Sequence, residues 1–372
     1  MWQEILVIVL IVCAVAGVWW SVHKQRHQPC EGDGGCKDCP LADKCIKKSS
    51  ICKCGEKVVP LRLVMKKVFP YIAIILAMLC WAGSGIAVKA ALVSFSPLTM
   101  IILRFTIAVL LMFAIGMCCR GNAVLGLQRI RKKDIPLFCL GGFFQPFLYY
   151  ILETYSYKLF ASPTIAEALL STSPLIAPFF AWLILRERVT LYNIIGIIVS
   201  TAGVLLLILA GAGNFELGNP WGIPLAFVTV STAVAYTIVL RRIPTHYSSL
   251  TIVFYVQAFS LLLFYPLWGI VDGRQLGELF ATMDISTLSS SLWAIGYLAV
   301  LSSVAAFILF CYTVREIGVT RANAFNNARP VFTALIMLIA FGEQLPALKW
   351  LGILIIILGL FICQKTPKQG QK

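Results

Sequence analysis

Six cysteines crowd one short polar stretch: Cys30, Cys36, Cys39, Cys45, Cys52 and Cys54. Thiolates bind soft metals, and a segment this short and polar buries no core of its own. Metal coordination is the interaction able to order it. Cys36 and Cys39 have the separation that lets two sulfurs reach one ion. The remaining gaps of five, five, six and one residue match no common zinc module. The spacing singles out no particular metal, iron and zinc being the candidates, and a thiol-rich linker with incidental metal contact is the competing reading.

A second set of reactive groups lies inside apolar runs, where each ionisable side chain needs a reason. Arg104, Glu153 and Glu167 fall within such runs. One arginine between two carboxylates can bind a charged or zwitterionic metabolite, and a carboxylate of raised pKa can carry a coupling proton. A structural ion pair pinning helices together is the alternative for Arg104. Further along, "NAFNNARP" sets Asn323, Asn326 and Asn327 on one helical face with Arg329 nearby. Pro330 removes a backbone donor and frees a carbonyl one turn back, a polar break tolerated at membrane depth where it lines a cavity. A substrate role is expected for this cluster ahead of interhelical adhesion. Pro174 and Pro330 are expected to kink their spans and permit gating. Glu187 and Glu343, at span ends, are expected to cap loops or to pair with Arg186, Arg188 or Lys349.

The elements that carry these groups follow from composition. The chain has 372 residues, 59% hydrophobic and 13% charged, with a mean hydropathy of +0.88. Apolar runs of about 20 residues recur along it, the length of a membrane-spanning helix. Unbroken runs of this kind satisfy their backbone groups in lipid as helices. The chain reads as an all-α integral membrane protein with eleven spans: 5–22, 70–90, 97–117, 135–157, 162–185, 190–210, 220–240, 250–270, 290–314, 321–341 and 347–363. The first is expected to be a retained anchor, since no positive charge beyond the amino terminus precedes it and no cleavage signal separates it from the basic HKQRH.

The net charge of +15 points to membrane topology rather than nucleic acid, because the basic residues sit between apolar runs and no aromatic-interleaved basic domain exists. With the amino terminus outside, 25 of the 31 Lys and Arg residues fall on the cytoplasmic side. The exceptions are Lys89, Arg104, Lys158, Arg274, Arg329 and Lys349. That orientation places the cysteine segment and the carboxyl-terminal tail in the cytoplasm, where thiols stay reduced.

The ten later spans divide in two. At a constant offset of 156, Ala166 pairs with Ala322, Ala168 with Ala324, Pro174 with Pro330, Glu187 with Glu343, Gly196 with Gly352 and Gly203 with Gly359. Five spans per copy is an odd number, so the second copy enters the membrane inverted, a common construction of secondary transporters with the site near midplane.

On these residues the core, about 68–364, resembles the EamA family of the drug/metabolite transporter superfamily. The pattern is the small-residue start of the fourth span (Ala161, Ser162), then Pro174, Glu187 and Gly196, with Pro330, Glu343 and Gly352 in the second copy. Arg104 after Ser96-Pro97 also fits; at an offset of 153 the second copy holds Gln257. The resemblance implies movement of small metabolites or drugs across the membrane, often as export. The stretch "CEGDGGCKDCPLADKC" after its anchor resembles the FeoB-associated Cys-rich membrane proteins, which implies an iron-related role over residues 1–55.

The expected organisation is an anchor and Cys-rich segment (1–57), two five-helix repeats (68–212 and 218–364) and a tail (365–372). The expected function is secondary transport of a small molecule, with the lipid bilayer, a ferrous-iron transport system and a homodimer as partners to consider. No cofactor is needed for transport, and no Walker loop is present. An iron-sensing accessory protein and a membrane thiol oxidoreductase are the alternatives.

Overall fold

The computed structural model describes residues 61–119, 126–159, 172–210, 219, 221–272, 285–341 and 346–365. The expected anchor at 5–22, the six clustered cysteines, Glu167, Glu343 and most of the tail lie outside these residues. One compact unit is Pro70–Lys372 and the other Met1–Phe69.

Every regular element among the described residues is helical, consistent with an all-α integral membrane protein. The first copy carries α1 (Leu61–Ala82), α2 (Ser84–Ala91) and α3 (Pro97–Cys118). Helices α4 (Ile135–Gly142) and α5 (Tyr149–Leu159) follow, then α6 (Ser173–Leu185) and α7 (Leu191–Leu209). The second carries α8 (Gly222–Arg242), α9 (Ser249–Val271), α10 (Ile285–Tyr297) and α11 (Ala306–Ile317). It ends with α12 (Val319–Ala324), α13 (Arg329–Phe341) and α14 (Ala347–Gln364). Among the described residues, seven helical stretches are long and apolar enough to cross a membrane, and Ser173–Leu185 and Leu191–Leu207 are apolar but shorter. Large apolar side chains such as Ile270, Trp293 and Leu191 stand exposed on their surfaces, which suits a lipid solvent and not water.

Local chemistry sets the helix starts. The Ser96 hydroxyl accepts the Thr99 N–H at 3.2 Å, with Pro97 in the first turn of α3. Ser248 accepts the Thr251 N–H at 3.1 Å at the start of α9. These two helices run antiparallel. Ser96 donates to Asp272 beyond the end of α9, while the Ser248 N–H donates to Gln128, beyond the end of α3, at 2.8 Å.

The spans expected over 135–157 and 290–314 are found as helical stretches over Lys132–Glu153 and Leu288–Ile317, each carrying a π turn. A π-helical turn, Phe143–Leu148, joins α4 to α5 and contains Pro146, which has no N–H to donate. Another, Leu298–Ala305, joins α10 to α11. The expected 321–341 span is broken, with a 3-10 turn at Phe325–Ala328 between α12 and α13.

Helices α7 and α14 approach backbone to backbone. A Cβ on Gly196 would stand 2.6 Å from the Gly359 carbonyl oxygen, and one on Gly359 would stand 2.7 Å from that of Gly196. Gly203 and Gly352 repeat the relation at 2.9 and 3.0 Å. The pairs 196/359 and 203/352 make the packing antiparallel and reciprocal, and only glycine permits it.

Candidate functional site

Arg104 stands two turns into α3 and is 2% exposed. Its Nε donates to the Ser303 hydroxyl at 2.6 Å, and Nη2 donates to the Ser302 hydroxyl and the Tyr150 hydroxyl, each at 3.0 Å. Its guanidinium carbon lies 4.9 Å from the Tyr150 ring centre and 5.1 Å from that of Phe105. A buried guanidinium is costly unless it is matched. Here hydroxyls and aromatic faces match it, and among the described residues no carboxylate pairs with it.

Gln257 on α9 reaches the same place from the second copy. Its Nε2 donates to the Ser303 carbonyl at 2.7 Å. Its Oε1, together with the hydroxyls of Tyr236 and Ser260, is buried with no partner among the described residues. Orphaned buried polar atoms are rare, and at a site they are unused capacity for a ligand or water.

Tyr149, the neighbour of Tyr150, holds the opposite charge: its hydroxyl donates to Glu153 Oε1 at 3.0 Å. The two tyrosine rings meet edge to face with centres 5.3 Å apart. Two of the ionisable residues singled out in the sequence, Arg104 and Glu153, therefore meet one tyrosine pair through hydrogen bonds.

The asparagines take different partners. Asn323 donates to the Val319 carbonyl at 2.9 Å and to Thr237 of α8 at 3.2 Å. Asn326 donates to Asn323 Oδ1 at 3.3 Å and to Ser173 of α6 at 3.4 Å. Asn327 donates to Ser200 and Thr201 of α7 at 2.8 and 3.1 Å. The sequence suggested one shared face. Asn323 and Asn326 do meet, bonded to each other, while the 3-10 turn that carries Asn326 and Asn327 sends Asn327 to α7. Asn323 and Asn327 are almost fully buried and already bonded across helices, the geometry of interhelical adhesion. Pro174 and Pro330 each stand second in a helix, α6 and α13, where a missing N–H breaks no intrahelical bond.

At the end of α6, Glu187 binds a different element from those expected. Its carboxylate accepts the N–H of Val319 at 3.1 Å and of Thr320 at 3.4 Å, at the start of α12, and lies 4.0 Å from Arg241. The same end holds a second network. Arg315 donates to the Tyr247 carbonyl at 2.7 Å, and the Tyr247 hydroxyl donates to Asp134 at 2.8 Å. Burial pushes that hydroxyl above the ordinary tyrosine range, and the bond to Asp134 adds to the effect.

Sequence reasoning missed Tyr149, Tyr150, Ser302 and Ser303. The four-residue spacing of Tyr149 and Glu153 was a usable signal, as was a serine pair inside a long apolar run. Among the described residues no group of three His, Cys, Asp or Glu side chains is placed to hold a metal.

Two consecutive stretches, 68–209 and 220–363, match the model of the EamA-like transporter family. The chain is 26% identical over 317 residues to the uncharacterized transporter YetK of Bacillus subtilis, covering 82% of this chain and 90% of that protein. It is 23% identical over 295 residues to a probable terminal-alkyne amino-acid exporter of Streptantibioticus cattleyicolor, covering 79% and 92%. A solved crystal structure aligns with a TM-score of 0.62 at 21% identity, over 79% of this chain and 96% of that one, and shows a shared fold.

Proposed function

The chain belongs to the EamA-like transporter family and is a multi-pass membrane transporter of small molecules, and we propose that it exports a zwitterionic metabolite by alternating access between two inverted five-helix repeats. The observation that carries the cargo class is the separation of opposite charges on adjacent tyrosines. Tyr150 holds Arg104 and Tyr149 holds Glu153. A molecule with a carboxylate and an ammonium group would bring an anion to Arg104, which pairs with no carboxylate among the described residues, and set its cation beside the Glu153 carboxylate. Such a fork-to-carboxylate bond is strong in a dry site. The amino-acid cargo in the name of the Streptantibioticus exporter supports the same class and direction.

The reciprocal glycine contacts of α7 and α14 support the inverted arrangement. A two-fold relation that exchanges the copies at the 156-residue offset turns the Gly196–Gly359 contact into the Gly352–Gly203 contact. In this reading Arg104, Glu153 and Arg329, together with Glu167, contact cargo, while Asn326 lines the site and Asn323 and Asn327 hold its walls. Pro174 and Pro330 mark where the fourth spans can bend. The amino terminus lies outside, and the cysteine segment is a cytoplasmic thiol site for iron or zinc, on the strength of its spacing alone.

Thermal unfolding of the purified full chain tests the cargo class against matched sets of α-amino acids, the corresponding amines and the corresponding carboxylic acids. At least one amino acid should raise the midpoint while its amine and its acid do not. Stabilisation by acids alone, or by none of the three classes, would overturn the zwitterion reading.

A further inference from the structure

The loop between α6 and α7 borders an open groove of about 550 Å³ lined by Trp182, Leu183, Arg186, Glu187, Arg188 and Val189. We propose that this groove binds the headgroup of an anionic phospholipid.

The charges come first. Arg186 and Arg188 are exposed, and neither guanidinium bonds or pairs with a described residue. Glu187 between them turns the other way, its carboxylate taken by the start of α12 and by Arg241. The groove thus presents two uncommitted guanidinium groups, the side chain best shaped for a phosphate. A third, Arg242, is tied to the same corner by its bond to the Ile184 carbonyl at 3.1 Å.

The backbone supplies an independent argument. Arg186 has φ of 53°, the one positive-φ residue other than glycine among the described residues. It closes α6 in the left-handed conformation, donating its N–H to Trp182 at 3.1 Å. Glycine makes this turn without strain, and a side chain there costs free energy. The sequence offers glycine at the corresponding place: at the 156-residue offset, Arg186-Glu187-Arg188 aligns with Gly342-Glu343-Gln344. The glutamate is kept in both copies, while the two arginines appear in the first alone. Arginine at a strained position that its counterpart fills with glycine is explained by use of the side chain.

The apolar wall selects lipid over free phosphate. Trp182 is 60% exposed and Leu183 56% exposed, one turn before the arginines. Tryptophan favours the level of the lipid headgroups, and leucine beside it offers a seat to the start of an acyl chain. On the orientation read from the charges, this end faces the cytoplasmic leaflet, where anionic lipids attract basic groups.

The test uses the full chain in detergent, titrated with phosphatidylglycerol, phosphatidylcholine or inorganic phosphate, with bound lipid counted by native mass spectrometry. The double variant R186G/R188Q copies the second repeat. It should bind phosphatidylglycerol at least about tenfold more weakly, while its unfolding midpoint without lipid stays level or rises because the strain is gone. A control, K132Q/K133Q, removes two charges at the same end and should leave binding unchanged. Wild-type binding by R186G/R188Q would overturn the proposal, as would an equal loss in the control or an equal response to inorganic phosphate. Should the double variant fail to fold, R188Q keeps the backbone turn and must still lose retained phosphatidylglycerol relative to wild type.

Discussion

The α7–α14 seam and the centre around Arg104 are both built on small residues, yet they do opposite things. In the seam, glycines bring two backbones into direct contact and leave no volume for anything else. At the centre, serines and a tyrosine meet a buried cation with hydroxyls, and the Gln257 Oε1 beside them has no partner among the described residues. Dense apolar packing fixes helices in one arrangement. Hydroxyl ligands can be exchanged for those of a cargo or water, because a serine or tyrosine donates and accepts equally well. The comparison assigns fixity to the fifth spans and exchange to the third.

The largest effect should come from breaking the seam. Gly196→Leu drives a Cβ against the Cys363 backbone nitrogen. A loss of about 3 kcal/mol or more is expected, at the upper end of overpacking costs. It should read as a lower unfolding midpoint and a poor yield of monodisperse protein. Wild-type stability would show that the seam is loose.

A change at the centre should leave folding largely intact and remove binding. Arg104→Ala should weaken cargo binding roughly 100-fold, from a cost of about 3 kcal/mol for losing one partner of a buried charge contact. Arg104→Lys keeps the charge without the fork and should lose about tenfold. Equal binding by all three proteins would sharpen the comparison the other way, making Arg104 a fastener like the glycines.

The smallest effect belongs to the α6–α12 contact. Glu187→Gln should loosen the start of α12 by about 1 kcal/mol, since a carboxylate at a helix amino terminus contributes on that scale and the partly exposed pair with Arg241 adds little. Hydrogen exchange at the Val319 and Thr320 amides should quicken about fivefold. Unchanged protection would mean that packing alone holds α12.

Much of this division was legible in the sequence. Seven of the eleven expected spans coincide with helical stretches able to cross a membrane among the described residues, and Ser-x-x-Thr at 96–99 and 248–251 lies at two helix starts. The 156-residue offset picked out the four glycines that meet in the seam. It could not say that Gly196 faces Gly359 instead of its own counterpart, because a repeat shows correspondence and not contact. Glu187 was expected to cap, and it caps, but with Arg241 as partner in place of Arg186 or Arg188. The left-handed turn at Arg186 points those arginines away, and a helical register cannot foresee it. The serine pair was hidden for a similar reason: the π turn at Leu298–Ala305 resets the face on which Ser302 and Ser303 emerge. The 3-10 turn did the same to Asn327.

On the proposed function, a zwitterion leaves the cell through the Arg104–Glu153 centre. The most direct measurement compares amino acids and other small metabolites in the medium of cells expressing the full chain, its Arg104→Ala variant at equal membrane abundance, or empty vector. The account predicts that at least one amino-carboxylate accumulates outside wild-type cells and returns to the vector level with Arg104→Ala. No exported zwitterion, or one exported equally by the variant, would contradict it.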